Sequence, residues 1–116
     1  MTFITPEFVK LRQKATGKLT LPEDRYVGVF AYPESRDSKV KAPLHEIIEM
    51  NAGSVADHKI AQEEWEERFY PLRLKSLGPS LIPSEAIIPV EKMEVVLKEI
   101  KKKIGNDIAI EGSMAG

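Results

Sequence analysis

The chain has 116 residues, with 17 basic and 18 acidic side chains, a formal net charge of -1 and no cysteine. That length suits one compact domain, and the balanced charge excludes the basic excess that nucleic-acid binding draws on. Without cysteine there are no disulfides, thiolate metal sites or cysteine nucleophiles, which fits a reducing cytoplasm.

The chain opens MTFITP, without the charged start and apolar stretch of a signal peptide. No apolar run approaches the roughly 18 residues that a membrane span needs. Thr5, Pro6 and Glu7 read as a helix start: Thr5 can cap open N–H groups, Pro6 has none to leave open, and Glu7 favours the positive helix end. Phe8, Val9 and Leu11 give this helix an apolar side, and Gly17 marks its end. Residues 21–24 (LPED) read as a connection, so 1–24 is expected to be an N-terminal helix and linker.

Residues 26–32 (YVGVFAY) are rich in aromatic and β-branched side chains and predict a strand, with Gly28 marking a bulge or a close backbone approach. A loop at 33–38 precedes a helix on which Val40, Leu44, Ile47 and Ile48 recur at helical spacing, with Pro43 expected in its first turn. Asn51 to Gly53 read as its exit, and 54–56 as a short strand. From about Asp57 into the low seventies, Ile60, Trp65, Phe69 and Leu72 recur about once per turn, although Pro71 conflicts with a continuous helix. Residues 84–89 (SEAIIP) predict a strand. Residues 90–104 predict the clearest helix, with Met93, Val96, Leu97, Ile100 and Ile104 on one face and Gly105 closing it. Residues 107–111 (DIAIE) alternate like a half-buried strand.

Alternating strands and helices indicate an α+β fold, with an antiparallel or mixed sheet carrying helices on one face. The two clearest strand–helix pairs suggest a ferredoxin-like split βαβ sandwich. The small residues after 111 (GSMAG) read as a loop leading into a further element, so the chain is expected to be cut short.

Few residues suggest chemistry. The seven glycines form no clustered loop that would let a backbone approach a phosphate, so no FAD or dinucleotide site is expected within the chain. His45 and His58 lack partners at metal-ligand spacing and read as surface or structural residues. Ser84 lacks a nucleophile-elbow context. Glu63, Glu64, Glu66 and Glu67 read as the solvated face of a helix, as do the lysines of 98–103. The most distinctive group is Trp65 and Arg68, one turn apart, followed by Phe69, Tyr70, Pro71 and Arg73. An arginine beside an aromatic wall suits a planar carboxylate, which it can hold with two parallel hydrogen bonds. The competing reading makes Trp65 core and Arg68 a surface or helix-capping cation.

The order Trp65-Glu-Glu-Arg68, Ser84-Glu-Ala-Ile-Ile-Pro89, Val90-Glu-Lys-Met-Glu-Val-Val-Leu97 and Ile108-Ala-Ile-Glu-Gly112 resembles the FAD-linked oxidase C-terminal (cap) domain. That family includes the glycolate oxidase flavoprotein subunit and D-lactate and D-2-hydroxyglutarate dehydrogenases. The resemblance spans roughly 25–116 and rests on the order of several weak motifs, so 25–116 is expected to be a partial cap, or substrate, domain. It implies that Arg68, with Trp65 beside it, descends from a substrate-carboxylate site. Two departures stand out. No second cation precedes Pro89 around Pro83 and Ser84, and Ser113-Met-Ala-Gly116 stands where relatives begin a histidine-rich loop. The resemblance implies FAD for the complete enzyme, bound by a domain that this chain lacks, and therefore a FAD-binding subunit as partner and no catalysis by the chain alone. The alternative is a stand-alone ferredoxin-like binding or regulatory module. In either case an open sheet edge leads to the expectation of a homo-oligomer.

Overall fold

The computed structural model describes residues 1–18, 21–67, 71–80, 82–105 and 108–114, with the side chains of 71 and 72 left aside. Three strands form an antiparallel sheet: β1 (Thr2–Ile4), β2 (Val27–Val29) and β3 (Glu111–Ser113), in the order β2-β1-β3. The helices among the described residues are α1 (Pro6–Thr16), α2 (Asp37–Met50), α3 (His58–Glu67) and α4 (Met93–Ile104). The protein is therefore a small α+β structure.

Its central strand lies in the segment expected to hold only a helix and a linker. Thr2, Phe3 and Ile4 are all strand-prone residue types, but three residues are too few to show a period of two. Phe3 stands opposite Gly28 on one side and Gly112 on the other. A Cβ at Gly112 would lie 2.0 Å from Phe3 Cε1, so the ring occupies the space that any side chain there would need. This explains the first correction: Gly112 and Ser113, expected as loop, are strand, while 108–110 are not. The backbone of Ile110 is instead turned toward Thr5, whose N–H donates to the Ile110 carbonyl at 3.0 Å. The Ile110 N–H in turn donates to Thr5 Oγ1 at 3.1 Å.

Thr5 also caps α1, its Oγ1 accepting from the Phe8 N–H at 3.4 Å, and it is almost wholly buried. Gly17 ends α1 in the left-handed region at φ 71°, as a helix-terminating glycine does. The helix predicted over 90–104 begins as a single tighter turn (Val90–Lys92) before α4. α3 is described only to Glu67, and tight turns over Pro71–Leu77 follow where Pro71 conflicts with an α-helix. Pro43 lies inside α2, beyond the first turn expected for it. Neither 54–56 nor 84–89 is a strand; both lie exposed apart from half-buried Ile88, with no strand beside them among the described residues.

The fully buried core consists of Ile4, Phe8, Val9 and Leu21, with Val27, Ile60, Leu74 and Ala109 packed half-buried against it. It fills the space between one face of the sheet, α1 and the 71–77 turns. α2 and α4 bury no residue fully. Lys101 ties α4 down: its Nζ lies 3.8 Å from Glu7 Oε1 and 5.0 Å from the centre of the Tyr26 ring. The exposed surface is 9274 Å², against about 6,300 Å² for a folded monomer of this mass. Among the described residues no helix is long and apolar enough to cross a membrane.

Candidate functional site

Strand alternation sends Thr2, Ile4, Val29 and Glu111 to one face of the sheet. There they meet α1, α3 and the 71–77 turns around a cavity of about 60 Å³. Ile4, Phe8, Leu74 and Trp65 supply its apolar wall; Arg12, Glu64, Glu67, Arg73 and Glu111 supply charge. Such a space holds a few waters or one small polar group.

Arg12 follows Phe8 by one turn of α1, so it projects over the same end of the core. Its guanidinium grips Glu64 of α3 with two parallel bonds, Nη1 to Oε2 at 2.5 Å and Nη2 to Oε1 at 2.6 Å. Glu64 is only 5% exposed, and a carboxylate so buried needs a partner of this kind. Burial alone would lower the Arg12 pKa, but the hydrogen bond to Glu64 and the charges of Glu64, Glu67 and Glu111 raise it above the usual value. Glu67, one turn beyond Glu64, faces Arg73 at 3.2 Å, Lys18 at 3.4 Å and Arg12 at 3.8 Å. Burial works against its charge, yet Lys18, Arg73 and Arg12 together hold its carboxyl below the ordinary carboxylate range.

Glu111 behaves in the opposite way. It stands half-buried at the start of β3, and burial pushes its pKa up. Arg12 opposes that rise, but Arg12 is already gripped by Glu64, whose own negative charge adds to it. The site thus sets a carboxyl whose pKa is lowered, Glu67, beside one whose pKa is raised, Glu111. Environments that push two carboxyls in opposite directions are a feature of functional clefts, and also of structural ion-pair networks.

The predicted site residues are distributed unevenly. Trp65 is 47% exposed and stands in the cavity wall, so it is not core. Arg68, with Phe69 and Tyr70, lies outside the described residues. Arg73 lines the cavity. His45, His58 and Ser84 are exposed and lie away from it. The acidic helix face is corrected in part: Glu63 and Glu66 are exposed as expected, whereas Glu64 is buried because Arg12 reaches it. The lysine run is solvated at Lys98, which pairs with Glu94 at 2.5 Å, but Lys101 packs onto Glu7 and Tyr26. Arg12 and Glu111 were not legible as site residues. The one signal for Arg12 was its place four residues after Phe8 on the apolar side of the helix.

No family model, no curated protein and no solved structure matches the chain.

Proposed function

We propose that the chain is the substrate-side (cap) portion of a FAD-linked 2-hydroxy-acid oxidase or dehydrogenase of the glycolate oxidase type. On this reading it works against an FAD-binding unit, whether on the same polypeptide or a separate one, and FAD belongs to that unit. The observation that carries the proposal is Trp65. The aromatic residue of the Trp-x-x-Arg stretch stands at the wall of a small cavity that Arg12 and Arg73 also line, with the carboxylates Glu64 and Glu67 against them. A small hydroxy-carboxylate is the size and charge of group that such cations hold, and it would compete with Glu67 for them.

The large exposed surface supports the same reading, since a cap works packed on another body. It equally supports the second reading, an oligomeric binding or regulatory module. The finer fold, a ferredoxin-like split βαβ sandwich, belongs to the proposal and rests on the sequence order of elements alone. β1 and β2, joined through α1, are direct antiparallel neighbours, so this pair is not itself a split βαβ unit.

The deciding experiment is to pull the chain down from its native host and record the absorbance of what co-purifies. A partner with flavin bands near about 370 and 450 nm supports the cap reading, because flavin supplies the hydride chemistry. A colourless homo-oligomer overturns it in favour of the binding module.

A further inference from the structure

Residues 82–89 form an exposed stretch outside any helix or strand, and the backbone of 82–88 pairs with no described residue. Ile82 is 87% exposed and Ile87 100%. Between Pro83 and Pro89, residues 84–88 keep five consecutive N–H groups and five carbonyls, an ordinary strand length. Unpaired backbone can be satisfied by water, but an isoleucine standing wholly in water contributes nothing to stability. The same chain carries an edge that fits this stretch. β2 lies at the side of the sheet, and within 26–32 its Val27 and Val29 are aliphatic, with exposed Tyr26 and Phe30 at either end. β3, the other edge, offers Glu111, Gly112 beneath the Phe3 ring and Ser113, so it has no aliphatic side chain to meet Ile87 or Ile88.

We infer that residues 84–88 add as an edge strand to β2 of a second copy, whose own 84–88 adds to β2 of the first. Strand addition to an open edge is a general recognition mode, in which the main chain gives affinity and alternate side chains give specificity. Two observations select a second copy as the occupant. The chain holds both the donor strand and the acceptor edge, so one two-fold rotation satisfies both at once. Its net charge of -1 sets up no repulsion between copies. The inference does not depend on the flavoprotein reading.

The test is sedimentation velocity of the whole chain over a concentration series, with amide hydrogen exchange read at 84–88. The expected result is a dimer in which protection of these amides rises with concentration. Ala86→Pro removes one N–H from the middle of the strand and leaves the monomer fold alone, because the segment makes no bonds there; circular dichroism checks this. It should weaken dimerisation about 100-fold, since the two-fold axis counts each tenfold loss twice. A monomer at every concentration would overturn the inference, and so would a dimer indifferent to Ala86→Pro. Protection at 84–88 independent of concentration would also overturn it, because the segment would then be pairing within its own chain.

Discussion

The sheet with α1 and the stretch from 82 to 104 carry comparable apolar side chains and reach opposite ends. Around the sheet, Ile4, Phe8, Val9 and Leu21 are buried, and Thr5 is sealed between Phe8 and Ile110. From 82 onward, Ile82, Ile87, Val90, Val95 and Ile104 remain exposed, while Ile88, Met93, Val96, Leu97 and Ile100 are only half-buried and none is buried fully. Local hydrophobicity does not separate the two regions. The first is closed by long-range pairing, β1 with β3 and α1 with the 71–77 turns; the second has Lys101 as its one ionic tether among the described residues. Burial in this protein follows closure of the chain, and apolar residues without it remain available to a partner.

The sharpest way to break this comparison is Glu64→Ala, which removes one side of the Arg12–Glu64 pair and leaves a partly buried guanidinium. Arg12 keeps 23% of its side-chain surface in water. The expected loss is therefore about 3 kcal/mol, at the low end for breaking a buried pair, measured by urea unfolding. A loss within about 0.5 kcal/mol would place the pair among surface contacts and erase the contrast. Next is Gly112→Val, whose side chain meets the Phe3 ring. The ring is only half-buried and can turn aside, so about 2 kcal/mol is expected rather than collapse. The double variant Phe3→Ala/Gly112→Val should recover part of that loss, and its failure to do so would show that the register is held elsewhere.

A smaller effect lies in the pH dependence of the two carboxyls. Glu111 has a raised pKa when folded, so its favourable contribution is full at acid pH, below the unfolded carboxyl value. That contribution is lost as pH rises through the raised folded value. Glu67 is lowered, so its contribution is present above the unfolded value and fades as pH falls below it. Glu111→Gln should therefore gain stability relative to the parent as pH rises above the unfolded carboxyl value of about 4, levelling off above the raised folded value and vanishing on the acid side. A difference flat with pH, followed by thermal unfolding across buffers, would remove Glu111 from the cavity's electrostatics. The smallest effect belongs to Ala86→Pro in the dilute monomer, whose melting temperature should not move, because nothing there rests on 84–88.

Local chemistry made several elements legible. Thr5 caps α1 and Gly17 ends it; Gly105 ends α4; Val27 to Val29 fall within the predicted strand. The candidate site was legible at Trp65 and Arg73, which stood in a distinctive aromatic–cationic stretch, and illegible at Arg12 and Glu111. Those two looked like ordinary charged positions because what distinguishes them is a neighbour distant in sequence. Glu64 looked solvated for the same reason, its partner lying 52 residues away.

Composition, caps and periodicity by themselves determined the charge balance, the helices and the α+β class, because each depends on residues within a turn or two of one another. Only the tertiary structure decided that Thr2–Ile4 is the central strand, that Phe3 lies over Gly112, and that Arg12 draws Glu64 out of water beside Glu111. These depend on closing the chain between residues far apart. Caps and periodicity reach only a turn or two along the chain, so pairings between residues this far apart leave no mark on them.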